Sequence, residues 1–110
     1  MLNEHGLKPN IMIDCSHANS QKQYARQTLV MNDIADQIVN GNQSIKALMI
    51  ESNLHAGNQS LTENINALHY GVSITDPCID WETTERSLHS LRNKLPHILQ
   101  GRKYENLVKA

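Results

Sequence analysis

Two short polar stretches hold most of the side chains that could do chemistry. One is Asp14–Ser20 (DCSHANS) and the other is Glu51–His55 (ESNLH); each directly follows a short apolar run. Asp76 lies further along, after a polar segment containing several glycines and asparagines. One imidazole with two carboxylates is a ligand set that suits divalent Mn, Fe, Co or Zn ions. His17, Glu51 and Asp76 are therefore candidate metal ligands.

The apolar runs before these stretches predict two strands. Ile11–Ile13 is too short for a helix and ends at Asp14, so we predict a buried strand there. Ile45–Ile50 (IKALMI) predicts a second strand, which is ended by Glu51. These strands must carry the two polar stretches at their carboxyl ends.

The segment between the strands predicts one long helix. Apolar side chains recur at spacings of three and four behind a capping-box pattern of Ser20 and Gln23, and the run closes at Asn40-Gly41. We predict this helix from about Gln21 to Val39. A strand–helix–strand crossover of this length pairs its strands in parallel. The carboxyl ends of both strands, and with them the candidate ligands, then lie side by side.

The second half of the chain predicts a long loop followed by a helix. Residues 52–75 are polar, with a helical turn expected near Leu61–Leu68. Asp80 is a suitable N-cap for a final helix, and Pro96 should end or kink that helix. Residues 100–110 are polar and weakly patterned. We expect residues 1–95 to form one segment and residues 96–110 a polar tail.

Simpler roles compete with the metal interpretation at this point. His17 fits a hydrogen-bonded structural role, and Asp14 fits a cap at the strand–loop junction. Glu51 and His55 have the spacing of a helical metal pair, but they follow a strand. Cys15 could offer a thiolate on the same strand face as His17, although apolar packing is the simpler interpretation. The remaining histidines and the second cysteine fit surface and buried structural roles, respectively: His5, His69, His89, His97 and Cys78.

Composition restricts the class of protein. The chain has 110 residues, so it is one domain at most or part of a larger one, and its formal net charge is −1. We therefore expect neither a nucleic-acid nor a membrane partner, since both usually need a basic excess or a long apolar run. Without an export segment we expect a cytoplasmic location. Two parallel strands have two open edges, so the α/β architecture looks incomplete.

Three motifs resemble those of the 3-deoxy-D-arabino-heptulosonate 7-phosphate (DAHP) synthases, of the feedback-regulated bacterial and fungal type. Ile13–Ser20 resembles the family pattern IDxSHANS, and Met49–Gln59 resembles VESxL followed by GNQ. Tyr70–Glu82 is similar to YGxSITDxCIxWE. The motifs occur in order, and the resemblance covers roughly Leu2 to Leu95. Cys15 stands where the family usually has Phe.

The resemblance implies a fold and a reaction. The fold would be the C-terminal part, the last two βα units, of a (β/α)8 TIM barrel that is incomplete as an isolated chain. The reaction would be a transferase step, the first of the shikimate pathway to chorismate and the aromatic amino acids. In it phosphoenolpyruvate and erythrose 4-phosphate condense to DAHP and phosphate. The family requires a divalent metal held by Cys, His, Glu and Asp.

Carried over motif by motif, the metal ligands would be His17, Glu51 and Asp76, with His17 also catalytic. The resemblance places the Cys ligand, and the Arg and Lys residues that hold the phosphates, in segments without a counterpart here. We therefore expect no turnover by the chain alone, and we expect a homo-oligomer that covers the open strand edges. The alternative is a catalytically inactive truncated fragment that only self-associates or binds metal.

Overall fold

The computed structural model describes residues 2–109, with side chains for residues 2–102. Its regular elements in chain order are β1 (Ile11–Asp14), α1 (Gln27–Val39), β2 (Ile45–Met49), α2 (Trp81–Lys94) and α3 (Pro96–Lys109). Short 3-10 turns lie at Asn3–His5, Tyr24–Arg26 and Ile65–Ala67. No helix within residues 2–109 is both long enough and apolar enough to cross a membrane.

The two strands pair in parallel, as predicted, and α1 forms the crossover between them. Ile13 pairs with Leu48 and Asp14 with Met49, so both strands end at the same level. The prediction of a buried first strand is wrong for part of β1, because 65% of Met12 is exposed. Helix packing covers one face of this sheet, and Met12 projects from the other.

The predicted helix begins six residues later than expected. Ser20 does not cap it; its hydroxyl donates to the carbonyl of His17 instead, at 3.3 Å. Gln21 and Lys22 have φ values of +55° and +60°, which a right-handed helix cannot contain. Residues 21–26 therefore form turns and a 3-10 segment, and regular α-helix starts only at Gln27. The end of the helix at Val39 is as predicted.

The core lies between the sheet and the helices. Met31, Ile34, Ala35 and Ile38 form the buried face of α1, at the spacing that the sequence predicted. This face packs with residues from β2, the end of β1 and the α2–α3 junction, namely Ile45, Cys15 and Leu95. The core thus fixes α1 against one face of the sheet.

The C-terminal part contains two helices. The Asp80 carboxylate accepts a hydrogen bond from the backbone N–H of Thr83 at 2.8 Å, so the predicted N-cap of α2 is confirmed. Pro96 ends α2 as predicted, because α2 stops at Lys94 and a new helix starts at the proline. Residues 96–109, which we expected to be part of a polar tail, form the helix α3, and this helix was not predicted.

The long loop after β2 is held by backbone hydrogen bonds to the segment before α2. The N–H of Asn53 donates to Ile79 O at 3.0 Å, and the N–H of Gly57 donates to Cys78 O at 2.9 Å. A 3-10 turn at Ile65–Ala67 occupies the middle of the loop, where a helical turn was expected. The loop therefore returns along the carboxyl end of β2.

Candidate metal site

Three candidate ligands meet above the carboxyl ends of the two strands. Nε2 of His17 lies 3.4 Å from Oε1 of Glu51 and 3.3 Å from Oδ2 of Asp76. One ligand atom from each residue lies within 4.8 Å of the others. His17 follows β1, Glu51 follows β2, and Asp76 comes from the loop that returns before α2. The parallel pairing of β1 and β2 thus brings together groups that are 34 and 59 positions apart.

The turn after β1 presents the His17 ring to this site. His17 has a φ of +49°, a conformation that few non-glycine residues adopt. Its carbonyl accepts a hydrogen bond from the N–H of Lys22 at 2.7 Å, and the Asn19 amide donates to Asp14 O at 2.6 Å. These bonds close the loop on itself, so the unusual backbone conformation is held locally.

Asp14 contacts the other edge of the imidazole. Its Oδ2 lies 2.8 Å from Nδ1 of His17, while its Oδ1 accepts the N–H of Ser16 at 2.8 Å. The hydrogen bond from His17 lowers the pKa of Asp14 below 3.8. The same hydrogen bond, with smaller contributions from the charges of Asp14 and Glu51, raises the pKa of His17 above 6.5. Asp14 therefore both caps the strand end and holds the ring.

Glu51 is held by its side chain and by its backbone. The Ser16 hydroxyl donates to Oε2 of Glu51 at 2.7 Å, which leaves Oε1 directed at His17. The backbone N–H and carbonyl of Glu51 both bond to the side-chain amide of Gln27, which is fully buried. The Glu51 side chain is 22% exposed, the least of the three candidate ligands.

The cluster opens into a cleft of about 410 Å³. Besides the three candidate ligands, the cleft is lined by Ser16, Lys22, Tyr24 and Pro77. Lys22 brings a cation to a cleft that otherwise carries two carboxylates. Lys22 is not among the residues predicted from the sequence; it stands five positions after His17, just beyond the polar stretch Asp14–Ser20. Ser16 lies within that stretch, but its hydrogen bond to Glu51 was not predicted.

Several alternative ligands do not join the cluster. Cys15 does not share a strand face with His17, because β1 ends at Asp14 and the turn buries Cys15 while it exposes the His17 ring. Cys15 is fully buried in the core, and burial raises the pKa of its thiol to about 11. His55 does not form a helical pair with Glu51, because no helix contains them. Within the described residues, there is one group of three or more His, Cys, Asp or Glu side chains that could hold a metal ion, and it consists of His17, Glu51 and Asp76.

The donor set fits a divalent cation of the first transition series. One imidazole nitrogen and two carboxylate oxygens are common ligands for Mn, Fe, Co and Zn, and Asp14 supplies the outer carboxylate that metal-bound histidines usually have. The two oxygens already surround Nε2, the nitrogen that Asp14 leaves available. Further ligands of such an ion would come from solvent, substrate or other protein groups.

The fold and the cluster define an α/β protein with a candidate metal site at the carboxyl ends of its parallel strands. Residues 1–89 match the DAHP synthetase I family, and the chain belongs to that family. This finding confirms the resemblance carried by the three motifs.

Named relatives agree with this assignment. The chain is 46% identical over 101 residues to the Tyr-sensitive phospho-2-dehydro-3-deoxyheptonate aldolase of Escherichia coli K12, with 92% of this chain and 28% of that protein covered. It is 50% identical over 84 residues to the tyrosine-inhibited enzyme of Candida albicans, covering 74% of this chain and 23% of the relative.

A solved structure resembles the fold as well. The phospho-2-dehydro-3-deoxyheptonate aldolase of Francisella tularensis SCHU S4 matches with a TM-score of 0.70 and 45% identity, covering 79% of this chain and 25% of that one. The chain thus spans about a quarter of the length of these three relatives.

Proposed function

We propose that this chain carries the metal-ligating portion of a DAHP synthase. The complete enzyme would condense phosphoenolpyruvate with erythrose 4-phosphate and release phosphate. The observation that carries the proposal is the approach of His17, Glu51 and Asp76 to within 4.8 Å, at the strand ends of a chain that belongs to this family. A barrel of this class has its active site at the same ends of its strands.

We infer that residues 1–95 form the last two βα units of a (β/α)8 barrel, followed by residues 96–110. The parallel β1–β2 pair with α1 as its crossover supports this placement, because such units are the repeat of the barrel. The Cα radius of gyration, 17.5 Å, is larger than that of a self-contained domain, which favours an incomplete fold. A compact domain of about 100 residues has a radius of gyration of about 13 Å.

The roles of the side chains follow from their contacts. Asp14 accepts the Nδ1 proton of His17, so the neutral ring presents the lone pair of Nε2 to the cleft. Ser16 donates to one oxygen of Glu51 and leaves the other oxygen available. Lys22 supplies a positive charge where anionic substrates would enter. A divalent cation bound here would act as a Lewis acid that polarises the aldehyde of the sugar phosphate.

A chimera tests whether this chain can serve as that portion of the enzyme. The matching segment of the Escherichia coli relative would be replaced by this chain, and phosphate release from both substrates measured with added Mn²⁺. We expect the chimera to be active and its His17→Ala variant to be inactive, with Asp33→Asn as the control on exposed α1 surface. An inactive chimera that folds and binds Mn²⁺ would contradict the proposal.

The isolated chain gives a second test. We expect no turnover by the chain alone, because it covers 28% of the Escherichia coli relative and the family resemblance implies phosphate-holding Arg and Lys residues in other segments. Turnover that His17→Ala abolishes would show that this expectation is wrong.

We also expect the chain to self-associate through β1 or β2, whose outer edges have no strand partner within residues 2–109. Sedimentation as a monodisperse monomer that unfolds cooperatively would contradict self-association.

A further inference from the structure

Gln27 is a fully buried polar residue with no role in the chemistry described above. It is the first residue of α1, and none of its surface is exposed. Its Nε2 donates to the carbonyl oxygen of Glu51 at 3.0 Å, and its Oε1 accepts the N–H of Glu51 at 2.8 Å. Both ends of one side-chain amide therefore bond to the backbone of one residue, 24 positions away.

The hydrogen bonds between Gln27 and Glu51 lie just beyond the last backbone hydrogen bond of the parallel strand pair. The last backbone bond between the strand ends runs from Cys15 N to Met49 O, at 2.8 Å. Two residues beyond Met49, the N–H of Glu51 bonds to Gln27, while the Glu51 carbonyl also accepts from Ile79 N at 3.0 Å. Loss of the Gln27 amide would leave the Glu51 N–H without this partner inside the protein, and a buried unpaired N–H is costly.

The backbone position of Glu51 fixes the reach of its carboxylate. From this position Oε2 accepts the Ser16 hydroxyl at 2.7 Å, and Oε1 lies 3.4 Å from Nε2 of His17. A small displacement of the backbone would break the first contact and move the second oxygen away from the cluster. We propose that Gln27 is a positioning residue for Glu51, an inference that rests on the metal site proposed above.

Cobalt binding by the full chain tests this role. The affinity for Co²⁺ and its visible absorption bands would be measured for the unsubstituted chain and for Gln27→Met. Methionine keeps the approximate length and burial but has no amide. We expect an affinity at least about tenfold weaker, which is the usual effect of losing an outer-sphere partner, and changed absorption bands because the Glu51 ligand has moved. A merely stabilising role would leave those bands unchanged.

The matched control is Gln37→Met, which removes the same amide from the exposed side of the same helix. The side-chain amide of Gln37 donates to Asp33 on the same helix, far from Glu51 in the chain, so we expect the Co²⁺ affinity and bands to stay unchanged. If Gln27→Met is folded by circular dichroism and binds Co²⁺ with unchanged affinity and bands, the positioning role is wrong. If the unsubstituted chain itself does not bind Co²⁺, the metal site fails, and the role of Gln27 fails with it.

A measurement on the unsubstituted chain covers the case in which Gln27→Met does not fold. Zn²⁺ would be titrated into the ¹⁵N-labelled chain, and the side-chain amide signals of Gln27 and Gln37 would be compared. We expect Zn²⁺ to shift the Gln27 signals, since that amide is bonded to the backbone of a ligand, and to leave Gln37 unmoved. Equal responses of the two amides would overturn the proposal.

Discussion

Oδ2 of Asp14 lies 2.8 Å from Nδ1 of His17, so the opposite nitrogen of the ring faces Glu51 and Asp76. This contact decides which imidazole nitrogen is available to a metal ion. A neutral histidine that donates a hydrogen bond from Nδ1–H to a carboxylate offers the lone pair of Nε2, and its ring orientation is fixed at the same time. Asp14 acts through His17, although it is not itself a candidate ligand.

Asp14→Asn should weaken metal binding while His17 remains in place. An asparagine accepts the Nδ1 proton less strongly and can turn its NH₂ group toward the ring, which favours the wrong tautomer. We expect the Mn²⁺ affinity of the chain to fall by about 10-fold to 100-fold, as measured by equilibrium dialysis. Asp33→Asn, the same change at an exposed position of α1, is the control. Equal affinities of the two variants would contradict the role of Asp14.

Gly71→Ala should destabilise the loop that carries Asp76. Gly71 has a φ of +79°, and a Cβ atom there would lie 2.8 Å from Cβ of Leu54. Gly57, with a φ of +87° and no atom near its Cβ position, is the matched control. Gly57→Ala should lower the free energy of unfolding by about 1–2 kcal/mol through backbone strain alone, and Gly71→Ala by more. Denaturant unfolding of both variants measures the difference, and equal losses would show that the contact with Leu54 does not matter.

Asp80 should make the stability of the chain depend on pH in the acid range. Its hydrogen bonds with Thr83 hold the pKa of Asp80 below 3.8 in the folded chain. A lowered folded pKa adds stability that is fully present above the unfolded pKa and is lost as the pH falls through the folded value. Asp80→Asn keeps a good capping group without a titrating charge.

Thermal unfolding from neutral to strongly acid pH checks this expectation. The parent chain should have the higher Tm at neutral pH, and this advantage over Asp80→Asn should be lost as the pH falls through the folded pKa of Asp80. The parent's advantage would vanish because a protonated Asp80 accepts these hydrogen bonds poorly. A difference that stays constant with pH would contradict the charged cap.

Cys15 should be irrelevant to metal binding. Its side chain is fully buried in the core, and its thiol, with a pKa of about 11, is protonated at neutral pH. We expect Cys15→Ala to leave the Co²⁺ affinity unchanged and to lower the Tm, because it opens space in a packed core. In the unsubstituted chain, the Cys15 thiol should react with a thiol reagent only after unfolding. A tenfold loss of Co²⁺ affinity in Cys15→Ala would mean that the thiolate reaches the site.

The sequence predicted the elements that repeat a simple pattern. Both strands, the parallel pairing and the buried face of α1 followed from apolar spacing, and the Asp80 cap followed from a local rule. The start of α1 at Gln27 could not be predicted from these patterns. The capping-box pattern at Ser20 is local, whereas the positive φ values at Gln21 and Lys22 belong to a turn that presents His17. The turn that presents His17 to the site therefore replaces the first residues of the predicted helix.

The proximity of the three candidate ligands could be predicted from the sequence, but the groups that hold them could not. His17 and Glu51 stand at strand ends, where parallel pairing makes them neighbours, and Asp76 lies on the loop that follows the second strand. Gln27 gave no such signal, because a glutamine at the start of a helix is ordinary and its partner lies 24 positions away. The direction of the Cys15 side chain depends on the residue at which β1 ends. The alternation of side chains along a strand does not determine that residue.

The most direct test is crystallography of the chain, or of the chimera that contains it, with Zn²⁺ and with data collected at the zinc absorption edge. We expect an anomalous peak bonded to Nε2 of His17 and to carboxylate oxygens of Glu51 and Asp76, with the Asp14 contact to Nδ1 retained. Ordered side chains at these three positions with no peak between them, at a Zn²⁺ concentration that other sites bind, would contradict it.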